Sequence, residues 1–347
     1  MRKMASVRKI DAVGPIEGAD AIEVATVGGW KVVVKKDEFK AGDFAVYCEI
    51  DSWIPTEIAP FLSKGKEPRE FEGVKGERLK TIKLRGQLSQ GLLLPFTAAM
   101  AIKIGAGPGA KFEDYEGVDV SELLNIKKWE MTVPAQLAGQ VRGNFPTAIP
   151  KTDQERAQNL VKEIVAANEA SVKFEITEKL EGSSMTCYLI DSEFGVCSRN
   201  LDLKRDENNS FWATAIREDI EAKMREVGDN FAIQGELIGP GIQGNIYKLT
   251  KTEFYVFDVY DVVQGRYLNP SECQALIQVM GLKHVPIVAY AASLYDTLGI
   301  TDIPQLLKFA EGKSTLFNTE REGIVFKETN GGMTFKAISN KYLLGEK

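Results

Sequence analysis

The sequence predicts an α+β protein in two domains: an N-terminal β-barrel, then a domain of antiparallel sheets with flanking helices. Three observations carry this. The chain has 347 residues, long for one hydrophobic core. Residues 1–125 read as short strands with a turn every 10–15 residues or so, the rhythm of a small barrel. Beyond residue 151 strands outnumber helices and no βαβ alternation appears, which argues against a doubly wound parallel sheet.

Along the chain, AIEVATVGGWKVVVKK alternates apolar and polar residues around Gly28-Gly29, a hairpin signal. FAVYCEIDSWIP and LKTIKLRGQLSQGLLLPF supply further strands, and the set resembles an OB-type barrel. AIKIGAGPGAKFEDYEGVD reads as loop, and the short SELLNIKKWE closes the domain. Residues 126–150, with three prolines after position 131, are the expected linker. The second domain, 151–347, opens with Thr152 and Glu155 at capping-box spacing before a helical pattern, TDQERAQNLVKEIVAANE. Strand-like runs come next: VKFEITEKL, SMTCYLI, FGVCSRN, NFAIQGELIG, EFYVFDVYDV, EGIVFKE and MTFKAIS. Two helical patterns, SFWATAIREDIEAKMREVG and NPSECQALIQVMG, lie between them.

Composition narrows the chemistry. Hydrophobic residues make up 44% and charged residues 27%, the balance of a globular protein. No apolar run reaches the ~18 residues of a membrane span. The first residues lack a secretory signal, so a cytoplasmic location is expected. Four scattered cysteines without CxxC spacing argue against zinc ribbons and disulfide frameworks. A single histidine, His284, would have to carry any Ser-His or two-histidine metal chemistry, so a structural or surface role is expected for it. Catalysis then falls to Lys, Arg, Asp, Glu and Tyr. The net charge of −6 does not suggest a nucleic-acid binder, but residues 64–85 hold eight basic residues against four glutamates. Such a stripe can neutralise phosphates, or can be a solvated strand edge.

The sharpest local feature is Glu178-Lys179-Leu180-Glu181-Gly182. A lysine at a strand end, with a glycine three residues on, sets a primary amine at a pocket edge where a phosphate can approach. Alone, K-x-[DE]-G is a common pattern. Its company is not: Ser198-Arg199-Asn200, then Gly235-Glu236-Leu237-Ile238-Gly239, Phe254-Tyr255-Val256-Phe257-Asp258, Glu322-Gly323-Ile324-Val325-Phe326-Lys327 and Phe335-Lys336 stand after it in that order.

This ordered set resembles motifs I, Ia, III, IIIa, IV and V of the covalent nucleotidyltransferases: the ATP-dependent DNA and RNA ligases, the NAD-dependent DNA ligases and the mRNA capping enzymes. It is most similar to ATP-dependent RNA ligases whose OB domain precedes the adenylyltransferase domain, because the barrel is N-terminal and PKTDQERAQN stands before motif I. Two positions depart from the pattern. Motif V is often K-x-K, yet here reads Lys336-Ala337-Ile338, which leaves Lys341 as a substitute. Glu181 stands where Asp is frequent.

The resemblance implies that Lys179 attacks the α-phosphorus of ATP, expels pyrophosphate and forms lysyl-AMP. AMP then passes to an RNA 5′-phosphate, and a 3′-hydroxyl displaces it to seal the strand, as in RNA repair. It implies ATP and Mg²⁺ or Mn²⁺ as cofactors, with Glu181 and Glu322 holding the metal through water. Lys327 and Lys336 would contact phosphates, Glu236 and Arg199 the ribose and nucleotide edge, and Phe257 the adenine; Arg156 and Glu178 join the ATP site. Lys75, Arg78, Lys83 and Arg85 are the candidate RNA contacts, and the protein is expected to be a monomer. A free lysine titrates near ~10.4, so Lys336 and the metal are expected to depress the nucleophile's pKa. Two alternatives remain: a GTP-dependent capping-type nucleotidyltransferase, whose OB domain normally follows the catalytic domain, and a non-catalytic OB RNA-binding protein.

Overall fold

The computed structural model describes residues 2–107, 109–130 and 139–345. The central part of the expected linker, 131–138, lies outside the described residues. The chain divides into two compact units, Met1–Thr132 with Gln158–Val161, and Val133–Ala157 with Lys162–Lys347.

The first unit is built from short strands. Ala5–Lys9, Phe44–Cys48 and Leu92–Pro95 form one antiparallel sheet. The expected hairpin forms between Ala19–Val27 and Trp30–Lys35, with Gly28 at φ +55 where a side chain would be strained. Met4, Val7, Val46, Cys48, Ile54, Leu79 and Phe96 fill its core. Residues 101–119, read as loop, include the end of a short helix, Ala98–Lys103, and a 3₁₀ turn, Phe112–Tyr115. Lys127–Lys128 pairs with Ser52–Pro55, so the segment after the loop does close the unit.

The second unit holds two sheets. The larger is eight-stranded and built mainly on Ser183–Ile190, Glu193–Cys197, Phe231–Ile238 and Glu253–Asp261. The smaller is five-stranded, with Gly323–Glu328 between Phe174–Lys179 and Thr334–Ile338. Neighbouring strands are antiparallel apart from two short parallel pairs at the margins. The helices Ser210–Arg217, Ile220–Val227 and Pro270–Val279 cover the larger sheet, burying Trp212, Met224 and Ile277 against Cys187, Val196 and Val256. Every strand-like run expected beyond residue 172 forms a strand.

Two local expectations are corrected. The helix expected from Thr152 starts only at Val161–Glu169. Glu155–Arg156 instead pairs with the strand carrying Lys336, and that ladder takes the backbone groups a helix would need. The single helical pattern of 210–228 is two helices, because Asp219 adopts a left-handed conformation between them (φ 54). The half-buried His284 ring donates Nδ1–H to the Val285 carbonyl at 2.7 Å. All four cysteines are free and buried. Among the described residues, no helix is long and apolar enough to cross a membrane.

Candidate active site

The site forms where the two sheets of the second unit present their strand ends. Lys179, the last residue of Phe174–Lys179, lies opposite Gly323 in the smaller sheet. That register brings Glu322 beside it, with Nζ–Oε1 at 2.8 Å. Glu236 comes from the larger sheet, opposite Ser184. Gly182 lets these strands close: a Cβ there would lie 2.4 Å from the Leu237 carbonyl and 2.8 Å from Glu236 Cγ. Its amide donates to the Glu236 carboxylate. The glycine expected to admit a phosphate is thus already required by strand packing.

Electrostatics follow from this crowding. Burial pulls the Lys179 ammonium downward, but Glu322 and Glu236 outweigh it and hold the pKa above the ordinary lysine value; Arg156 opposes them. Lys179 is therefore an ion-paired cation held by two acids. Burial pushes Glu236 up to about 7, with Lys179 and Arg199 pulling down and Glu322 pushing further up. Glu181 is also raised, by burial and then by Glu322.

Glu181 Oε2 is buried with no hydrogen-bond partner, while the Glu181 amide donates to the Tyr247 hydroxyl at 2.7 Å. An orphaned carboxylate oxygen near a second carboxylate fits a divalent cation. No group of three His, Cys, Asp or Glu converges among the described residues. The pair accordingly suits an ion that keeps much of its water.

Lys336 and Arg156 face each other in the parallel pair at the margin of the smaller sheet, and Asp153 lies 3.3 Å from Lys336 Nζ and 3.6 Å from Arg199 Nη2. Phe257 is half-buried beside Leu180, Ile238, Tyr247 and Val285. Lys327 does not join Lys179. Its ammonium sits 2.7 Å from Asp258, donates to the Phe257 carbonyl and lies 5.7 Å from the Phe257 ring. Lys327 is thus buried and ion-paired behind the aromatic strand. Glu178 turns to Thr315, accepting from its amide and its hydroxyl at 2.9 Å each. Lys341 stands in the helix Asn340–Leu344 with Glu311 at 4.0 Å, and Ile338 is buried where a second motif lysine would stand. Tyr247 lies outside every motif that sequence reasoning picks out, while Asp258 closes the Phe254–Asp258 motif and Asp153 lies in the PKTDQERAQN segment without either being given a role there. The capping-box reading of the TDQER run absorbs Asp153.

The basic segment lies in the first unit. Lys75 pairs with Glu67 at 3.0 Å, and both are exposed. Arg78 is bound to Asp51 at 2.5 Å and lies 3.9 Å from the Trp129 ring centre. Lys83 and Arg85 belong to a hairpin, Ile82–Leu84 with Gln87–Ser89, and Arg85 is at its tip.

A lysine ringed by carboxylates between two sheets, with a separate OB barrel before it, defines a ligase-type nucleotidyltransferase. Comparison with known proteins agrees and narrows the class. An OB-fold domain model matches residues 4–96 and an RNA ligase model matches residues 172–342. A substituted Naegleria gruberi RNA ligase solved with AMP and Mn is 43% identical (TM-score 0.87), over 99% of this chain and 98% of that one. The Naegleria ligase solved with pyrophosphate is 43% identical (TM-score 0.86), over 99% and 98%. A further substituted form, solved with ATP and Mn, is 42% identical (TM-score 0.86), over 98% of each. No curated protein matches the chain. The chain belongs to the RNA ligase family.

Proposed function

We propose that this RNA ligase is ATP-dependent and seals RNA 3′-hydroxyl to 5′-phosphate ends through a lysyl-AMP intermediate, as a monomer engaged in RNA repair. The observation that carries this is Lys179 Nζ, 2.8 Å from Glu322 and within the field of Glu236, at the meeting of two sheets.

Lys179 is the nucleophile. It must lose a proton before attacking phosphorus, and the carboxylates that stabilise its charge have to be neutralised first. Glu181 and Glu322 would hold a divalent metal ion through water, and that ion would supply charge compensation at the α-phosphate. Lys336 and Arg156 supply positive charge to the phosphates. Glu236 accepts from the ribose hydroxyls, Arg199 steadies the nucleotide edge, and Phe257 gives the adenine a face to stack on. Glu178, one residue from the nucleophile and held by Thr315, joins the ATP site. Lys327 holds the Phe257 strand. Residues 1–125 act as the barrel, 126–150 as the linker and 151–347 as the adenylyltransferase domain. Lys75, Arg78, Lys83 and Arg85 meet RNA phosphates.

Labelled ATP tests this directly. The label should attach through an acid-labile, base-stable bond, and Lys179→Ala should abolish it. Labelling by GTP but not ATP would favour the capping-type alternative, and a tag that survives Lys179→Ala would refute the assigned nucleophile.

A further inference from the structure

Within the second unit, residues 150–156 run as a strap between the two sheets. At one end the strap is tied to the larger sheet. The Pro150 carbonyl accepts from Gln234 Nε2 at 2.9 Å, and Lys151 Nζ donates to Asn200 Oδ1 at 2.8 Å. Thr152 Oγ1 stands 3.5 Å from Ser184 Oγ. At the other end, Glu155–Arg156 is the outermost strand of the smaller sheet. Asp153 sits at the crossing. One carboxylate oxygen is 3.3 Å from Lys336, on the smaller sheet, and the other is 3.6 Å from Arg199, which follows a strand of the larger one.

We propose that Asp153 is a positioning residue for the nucleotide, a shared counter-ion that holds Lys336 and Arg199 in place for ATP. This rests on the reading of those two cations as nucleotide contacts. Both are long side chains with many rotamers, and fixing them when ATP arrives would cost affinity. A carboxylate on a strap tied at both ends fixes them beforehand. Its negative charge also repels the triphosphate. The ordering effect dominates because the strap sets the carboxylate against the two cations, whose charges screen it from the ligand.

The test is a double-mutant cycle on binding, with the full chain and α,β-methylene-ATP, which cannot release pyrophosphate. Asp153→Asn should weaken binding about tenfold in the parent, but less than about threefold once Lys336 is Ala, because its main client is gone. Asp153→Glu should restore most of the affinity. Equal loss in both backgrounds would mean a structural role and would overturn the proposal. So would tighter binding by Asp153→Asn, which would make the carboxylate a competitor of ATP. If Lys336→Ala alone leaves binding unchanged, the underlying reading of Lys336 fails, an outcome distinct from failure of the strap.

Discussion

Replacing Glu236 by Gln should stabilise the nucleotide-free protein at alkaline pH while damaging catalysis. Burial raises this carboxyl from 4.5 to about 7. At ~1.4 kcal/mol per pH unit, the charged form costs the native state about 3 kcal/mol. The sign is that of a raised acid. The native state binds the proton more tightly, so the contribution is fully present below 4.5 and lost as pH rises through 7. Glutamine keeps the shape and an acceptor for the Gly182 amide but never ionises. In urea unfolding of parent and variant at pH 5, 6, 7 and 8, the variant's advantage should therefore grow by up to about 3 kcal/mol from the lowest to the highest pH. Groups common to both proteins cancel in this difference. A difference independent of pH would refute the assignment of the shift to Glu236. Lysyl-AMP formation should fall at least tenfold, since a hydrogen bond to a charged acceptor contributes about 1.5–3 kcal/mol.

Glu322→Gln should lower lysyl-AMP formation by ~10²-fold, because it removes charge both from Lys179 and from the metal's water shell. Glu181→Asp should retain activity that Glu181→Ala loses, read by the same labelling assay. Lys336→Arg should rescue Lys336→Ala poorly, a planar fork replacing a point charge, while Lys341→Ala should be mild because Lys341 faces Glu311. Lys327→Ala strands Asp258 without its cation and should cost about 3 kcal/mol of stability in urea unfolding; unchanged stability with lost adenylylation would return Lys327 to the phosphates.

The strands and the nucleophile are legible in the sequence for one reason. Lys179 and Glu322 are charged residues at the ends of apolar runs and Glu236 interrupts one near its end, so strand periodicity and motif chemistry mark the same positions. Lys179, Glu236 and Glu322 can be found without knowing how the strands pair. Lys327 cannot be placed that way. It also ends an apolar run, but its direction depends on which strand lies behind it, and only the placement of Glu253–Asp261 gives it Asp258 as a partner. The helix boundary at 152 fails similarly: Thr152 and Glu155 satisfy a local rule, but a parallel ladder with a strand 180 residues away in sequence takes their segment. Local capping contributes about 1 kcal/mol, and tertiary pairing outweighs it.

The same distinction hides the nucleophile's charge state from the sequence. Along the chain, the cations of the motif set suggest a lysine depressed by its neighbours. In three dimensions the residues closest to Lys179 are acids, because the strand register sets Glu322 beside it and the larger sheet delivers Glu236. The pocket is thus internally compensated, its acids matched by Lys179, Arg156, Arg199 and Lys336. An arriving triphosphate competes with those acids for the same cations, and Lys179 can become a free amine only once that competition is won. Adenylylation should accordingly speed up as pH rises toward the elevated lysine pKa. The dependence should weaken in Glu322→Gln, which removes the nearest charge holding the proton in place. If both enzymes show the same pH profile, the proton leaves Lys179 before the step that limits the rate, and the ion pair at 2.8 Å is not the barrier it forms here.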